Sequence, residues 1–448
     1  MTAAPPAPAR QLSRALAGVL AVLVTTGWAA NHFAAMIPVL REHEGLSHAL
    51  LDGVFGIYAL GLLPGLVGGG ALSDRVGRAA VVLPGATIAL AGTVLLLVRH
   101  DAAGLVAGRL VVGIGAGLAI GAGTAWATDL RGKVGTVLAG VALSSGFALG
   151  PFVSGLLAEF GPRPLSLPFV LSAALSAAAV AAAAVWSRSA HYAAADLQPV
   201  VPGHGRSVAA ALSWSLPLAP WVFACVTVAF VTFPARVSSE YAGPALTGAA
   251  ALLALGSGIV VQAAARRREW GPRAGTVGAV LAGLGFLLVG AGGTHPPLWL
   301  LPVAAPVLGV AYGLCLREGL LDLESLAPKT ARGTLTGVFY VGTYLGFALP
   351  VLLVVLEPVT GASLPLFALA VPAFVVAVVR ARRLVVAEHP PRRRRAARVK
   401  NGPALPPEIR SPLRNPLRQC RARIHNRRDD PADPHSTRAR NCASYKRK

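Results

Sequence analysis

Twelve stretches of this chain are apolar over a length that crosses a membrane, and that constrains its fold more than any other feature. At 1.5 Å per residue, about 20 apolar residues span the roughly 30 Å hydrocarbon layer of a bilayer. In lipid every backbone N–H and C=O must be satisfied inside the span, so runs this long specify helices rather than open sheets. The runs lie near residues 15–39, 48–71, 80–98, 103–127, 135–158, 167–187, 215–237, 244–265, 274–293, 298–320, 334–356 and 362–380. Composition agrees: 54% of the 448 residues are hydrophobic and only 13% charged, about half the charged share of a soluble domain. Arg10 and Arg14 precede the first run as they would in a secretory signal, but that run is about 25 residues long and eleven more follow, so it reads as a span. The expected fold class is all-α, a polytopic membrane protein.

The formal charge of +22 resembles that of a nucleic-acid binder until its location is considered. From Arg383 to Lys448 there are 19 Lys or Arg against 5 Asp or Glu, so +14 of the +22 belongs to the C-terminal segment. Sorting the loop cations up to and including Arg383 by alternate loops, with Arg109 and Arg317 left out as lying within spans, puts seventeen on one side and four on the other, Arg41, Arg99, Arg163 and Arg236. By the positive-inside bias the richer side is cytoplasmic, and an even number of spans puts both termini there. The expected location is the plasma membrane, multi-pass. Four cysteines, Cys225, Cys315, Cys420 and Cys442, have no spacing of a metal site or a disulfide framework, and no metal or cofactor is expected.

An internal repeat divides the spans into two sets of six. Arg131-Gly132-Lys133-Val134-Gly135 is answered by Arg332-Gly333-Thr334-Leu335-Thr336-Gly337, and Gly146-Phe147-Ala148-Leu149-Gly150-Pro151 by Gly346-Phe347-Ala348-Leu349-Pro350. Gly113, Gly117 and Leu118 correspond to Gly309, Gly313 and Leu314 at nearly the same offset. The expected organisation is a cytoplasmic N-terminus (1–14), a first six-helix bundle (15–187), a polar linker (188–214), a second bundle (215–383) and a disordered basic tail (384–448). The tail is Pro- and Arg-rich with little to bury, so it is expected to lie on anionic lipid rather than bind nucleic acid.

Gly70-Ala71-Leu72-Ser73-Asp74-Arg75-Val76-Gly77-Arg78, between the second and third runs, resembles the signature loop G-x-L-x-D-R-x-G-R of the major facilitator superfamily, in particular of bacterial twelve-helix drug and metabolite exporters. Gly70 and Gly77 permit a tight turn, Asp74 is placed to pair with Arg78 or to sit at a helix N-terminus, and Arg75 and Arg78 face headgroups. The resemblance implies a cytoplasmic gate built from these residues; the alternative is a plain basic turn. Arg109, followed by Gly113, Gly115 and Gly117, is similar to the family's second motif. An Arg inside a span costs at least about 2.5 kcal/mol, so it should face a wet cavity or an acceptor, or else snorkel outward. Gly146, Gly150, Pro151 and Gly155 resemble the family's antiporter motif. Pro151 leaves the carbonyl of Phe147 without its helical donor, and small residues four apart flatten one face, for kinking or for packing alone.

Asn31 and His32 lie in the outer half of the first span, where polar side chains line a path or bond a neighbouring helix. Tyr340 and Tyr344, one turn apart, line a cavity or pack as a pair. No Asp or Glu lies mid-span, which leaves His32, Asp52, Glu240 or Glu318 as the group that changes charge within the membrane. The resemblance implies two six-helix bundles rocking about a midplane substrate site, without enzymatic activity or cofactor. The activity expected is proton-coupled efflux of a small amphipathic molecule by a monomer. Uptake of a small metabolite, with Arg109 as anchor for an anionic group, is the second reading, and a non-transporting receptor or scaffold the third.

Overall fold

The computed structural model describes residues 9–187, 207–238, 240–241, 243–328 and 331–388, and every regular element among them is helical. Twelve helices are long and apolar enough to cross a bilayer: α1 (Ser13–Glu44), α2 (His48–Val76), α3 (Arg78–Val98), α4 (Ala102–Gly132), α5 (Val134–Phe160), α6 (Leu167–Ser187), α7 (Val208–Arg236), α8 (Pro244–Arg267), α9 (Arg273–Ala291), α10 (Leu298–Leu326), α11 (Thr334–Thr360) and α12 (Leu364–Val386). All twelve belong to one compact unit. With an even number of crossings, α1 begins and α12 ends on one side, here called the terminal side; the other is the far side.

Several ends differ from the sequence expectation for local reasons. Residues 207–214 of the expected linker are not a linker: α7 starts at Val208, because the Ser207 hydroxyl accepts from Ala210 N–H at 3.0 Å and the Ser207 N–H donates to Leu326 O at 3.1 Å. Residues 384–388 are not tail, since the last helix runs to Glu388. Its side chains hold α7: Arg383 donates to Ser213 O at 2.8 Å and Arg380 to Trp214 O at 3.1 Å. The first helix starts at Ala9, inside the expected N-terminal segment, and continues through Pro38 to Glu44. Residues 1–8, the rest of the linker (188–206) and the rest of the tail (389–448) lie outside the described residues. Helices α4 and α5 are joined by a sharp reversal with almost no loop: Arg131 and Gly132 leave helical geometry, the Thr128 and Thr136 hydroxyls meet across the corner at 2.9 Å, and Gly132 takes φ +55°, a left-handed value that its missing Cβ allows.

The repeat has a structural counterpart. Gly113 and Gly117 let α4 press onto the α2 backbone at Tyr58 and Leu62, and Gly309 and Gly313 let α10 press onto α8 at Ala254 and Gly258. In both halves, then, the fourth helix uses two glycines one turn apart to seat against the second. Without water between them, helices associate through such close packing.

Proline breaks are repaired in the same symmetric way. Pro151 frees the carbonyl of Phe147 in α5, and the Asn31 amide of α1 donates to it at 3.4 Å. Pro350 denies the carbonyl of Gly346 in α11 its α-helical donor; the Leu349 N–H reaches it instead in a tighter turn, and the Thr227 hydroxyl of α7 donates to it at 2.9 Å. Each half thus uses the first helix to satisfy its fifth. Around these points α11 tightens to a 3-10 turn over Leu345–Ala348 and α7 widens to a π turn over Val228–Thr232.

A methyl group tests the seating directly. Gly113→Ala and Gly309→Ala should each destabilise the purified protein by about 1–3 kcal/mol, the cost of overpacking. Gly256→Ala, whose added Cβ meets nothing within 4 Å, should leave thermal unfolding in micelles unchanged.

Candidate functional site

The two halves meet through a layer of aromatic side chains near mid-depth. Phe55 and Tyr58 come from α2, roughly 10–15 Å along that helix at 1.5 Å per residue. Phe223 and Phe230 come from α7, Tyr312 from α10, and Tyr344 and Phe347 from α11, and all seven are buried. Phe55 stacks on Phe347 with centroids 5.0 Å apart and an interplanar angle of 15°, and Phe230 meets Phe55 edge-on at 6.1 Å. Phe223 lies 4.7 Å from Tyr344 and 5.0 Å from Phe347. Gly56 brings α2 against the Phe347 carbonyl. Offset and edge-to-face pairs of this kind are worth about 0.5–1.5 kcal/mol each beyond their burial. The layer therefore holds α2 to α7 and α11 through rings that share contacts with one another.

Arg109 stands behind this layer, inside the first half, and is fully buried. It neither faces a wet cavity nor snorkels. Its Nη1 donates to the carbonyls of Ala29 at 3.3 Å and Ala30 at 2.9 Å, and its Nη2 to that of Phe55 at 3.1 Å. The rings of Phe33, Phe55 and Tyr58 flank the guanidinium at 5.1, 5.7 and 4.7 Å. Helical carbonyls have a second lone pair to offer, and ring faces attract a cation, so one side chain ties α4 to α1 and α2 without a carboxylate.

Of the other residues singled out in the sequence, Asn31 and His32 face inward within the first half. Asn31 reaches α5 as described; His32 bonds Trp28 O at 3.1 Å and packs edge-on against Phe169 of α6 at 5.3 Å. Tyr344 belongs to the aromatic layer, and Tyr340 is half-buried one turn nearer the terminal side. Gly146 and Gly150 seat α5 on α1 at Val24 and Trp28, whereas Pro151 and Gly155 meet Gly248 and Pro244 of α8, across the junction of the halves. One short motif thus serves both a packing contact within a half and a close contact between halves.

At the terminal side Gly77 takes φ +99° between α2 and α3. Arg78 pairs with Asp74 at 2.5 Å and with Asp129 of α4 at 2.8 Å, and donates to the Ser73 hydroxyl at 2.7 Å, while the Ser73 hydroxyl donates to Gly70 O at 2.8 Å. Arg75 is exposed. The second half has its own buried charges: Asp322 of α10 pairs with Arg380 of α12 at 2.8 Å, Glu318 with Arg317, and Arg380 and Arg383 lie over the Trp214 ring.

At the far side a cleft opens between the halves, lined by Ile37, Pro38, Arg41 and Asp52 from the first and by Pro234 and Thr247 from the second. Outside the spans, the Asp101 carboxylate caps α4; the hydrogen bond from Arg99 holds its pKa below the usual carboxylate range. Among the described residues no group of three or more metal-ligating side chains occurs.

Sequence reasoning missed the aromatic layer, Asp129 and Thr227. Single aromatics in apolar runs give no period that separates a ring facing the partner half from one facing lipid. Thr227 was within reach, because Pro350 repeats Pro151 and implies a freed carbonyl needing a donor.

Two six-helix halves joined at mid-depth by a buried layer, with close-packed glycines and proline breaks at the joint, define a polytopic membrane carrier. The chain belongs to the Major Facilitator Superfamily, whose family model matches residues 17–351. The Multidrug resistance protein MdtL of Klebsiella pneumoniae (strain 342) is 32% identical over 81 residues, a match spanning 18% of this chain and only 21% of that relative. A POT family transporter solved in complex with 5-aminolevulinic acid superposes with TM-score 0.68 at 16% identity, covering 83% of this chain and 96% of the other. The peptide transporter POT in complex with sulfate does so with TM-score 0.69 at 16% identity, covering 84% and 94%. At such identity the likeness is one of fold.

The carbonyl repairs yield a prediction. Asn31→Leu strips the side-chain donor from the Phe147 carbonyl and should cost about 1 kcal/mol, whereas Thr227→Val removes one of two donors from the Gly346 carbonyl, which keeps Leu349 N–H, and should cost less. Because they act in separate halves, their effects on thermal unfolding should add in the double variant.

Proposed function

We propose that this carrier exports a small amphipathic compound in exchange for protons, by rocking one six-helix half against the other. The observation that carries the reading is the aromatic layer: between the halves the substrate would meet rings and the tyrosyl hydroxyls of Tyr58, Tyr312 and Tyr344, a surface suited to an apolar body with one polar end. Phe55 against Phe347 is the far-side gate in this scheme, and Tyr340 and Tyr344 line the approach to it. The terminal-side gate is the Asp74–Arg78–Asp129 cluster with its Gly70 and Gly77 turn and Arg75 at the headgroups. The Pro151 break, with Gly146, Gly150 and Gly155 around it, is where α5 bends and slides on α8. Asn31, His32 and Arg109 hold the first half together as a rigid body.

Arg109 argues against uptake of an anionic metabolite anchored there, because its Nη atoms already serve three carbonyls and three rings cover it. The protein is taken to work as a monomer in the plasma membrane with cytoplasmic termini and anionic lipid around the basic tail.

The test is transport in proteoliposomes carrying an imposed pH gradient and a panel of amphipathic dyes. At least one dye should move against its own gradient, stop when a protonophore collapses the pH difference, and move at least tenfold more slowly with Asp74→Asn. Movement indifferent to the protonophore would sink proton exchange, and failure of every dye to move would sink export.

A further inference from the structure

Among the described residues three carboxylates are buried: Asp52, Glu318 and Asp322. Glu318 and Asp322 each have an arginine against them. Asp52 is 4% exposed and has no hydrogen bond or ion pair among the described residues, and it borders the far-side cleft between the halves. An ionised carboxylate out of water with nothing against it costs several kcal/mol, which is why such groups are paired or give up their charge. Six of the residues lining the cleft are apolar, Ala34, Ile37 and Pro38 of α1 and Val231, Pro234 and Ala235 of α7. The cleft's donors are engaged elsewhere, Arg41 with His48 and the Thr247 hydroxyl with Gly243 O at 3.4 Å, so closing the halves strips water from Asp52 and offers it little in exchange.

We propose that Asp52 is a proton-binding site that couples far-side closure to proton uptake: the cleft shuts over the neutral carboxyl and opens to hydrate the carboxylate. The inference deepens the exchange reading above and rests on it for its place in a transport cycle. The proton comes from far-side water and returns there when the cleft reopens, unless the other side has opened in between.

The other charged and titratable groups around the cleft are accounted for. Arg41 of α1 is engaged with His48 at the start of α2. Arg236 of α7 lies 3.9 Å from Glu357 of α11 and donates to Ala362 O at 3.0 Å. Glu159 of α5 accepts from Ala245 N–H at 3.4 Å, and Glu240 is exposed in the connection between α7 and α8. His48 is therefore the one neighbour on Asp52's own helix face whose titration competes with this account, and it is separable by substitution.

The decisive measurement is the far-side opening itself, free of any transport assay. Spin labels replace two exposed residues, Glu42 at the far-side end of α1 and Tyr241 in the connection between α7 and α8, in full-length protein with its four cysteines changed to serine, and their distance is followed by pulsed electron resonance in nanodiscs from pH 8.5 to 5.5. The short-distance population should grow as pH falls. Asp52→Asn should hold it at the acid level at every pH, whereas Asp52→Glu, His48→Gln and Glu318→Gln should keep a pH response. Loss of the response in His48→Gln with its retention in Asp52→Asn would transfer the site to the imidazole and overturn the proposal, as would a wild-type distance indifferent to pH. In proteoliposomes Asp52→Asn should also lose at least tenfold of gradient-driven flux. If wild-type moves no dye while the distances follow the expected pattern, the exchange reading fails and the proton site stands; if wild-type exports and Asp52→Asn exports equally well, the reverse holds.

Discussion

A backbone carbonyl that loses its helical donor inside a bilayer has no water to fall back on, and much of this structure is organised around that deficit. Pro151 and Pro350 each create one, at equivalent places in the two halves. Asn31 removes the first, and Thr227 from the equivalent helix, together with the Leu349 N–H, removes the second. The repair lets each proline stand where α5 borders α8 and where α11 borders α2, which is where the halves touch. A bend that is satisfied in place is a joint rather than a fracture.

The same accounting governs the charges. Arg109 is fully buried and is made tolerable by three carbonyls and three ring faces, a solution that leaves no lone anion behind and binds three helices. Arg380 takes the other route, with Asp322 against it and Trp214 beneath. Asp52 follows neither. Among the described residues the other buried acids are paired with arginines, and the carboxyl left without one sits at the cleft between the halves, which is what gives it a reading different from the rest.

Much of the fold was legible because the bilayer imposes a length. Twelve apolar runs, their grouping by six and the glycine pairs on the fourth and tenth helices could be read from spacing alone, and the freed carbonyl of Phe147 followed from Pro151. Helix ends were less legible: α7 begins at Val208 because Ser207 caps it, and α12 continues past Arg383 because Arg380 and Arg383 find Trp214 and Ser213 on a distant helix. Arg109 was recognisable as unusual, but the engagement of its two Nη atoms was not, since their acceptors are carbonyls of apolar residues some 54 to 80 positions away.

By itself the sequence determined that the chain crosses a membrane twelve times as two related halves, because hydrophobic length and repeat offset are properties of the linear order. Only the tertiary structure decided which polar groups face one another. Asn31 turned out to serve a carbonyl and Asp52 to have no hydrogen bond or ion pair among the described residues, and both are single polar residues in apolar helices. The difference lies in rotation and packing, which place one side chain against a proline break and the other at the cleft between the halves.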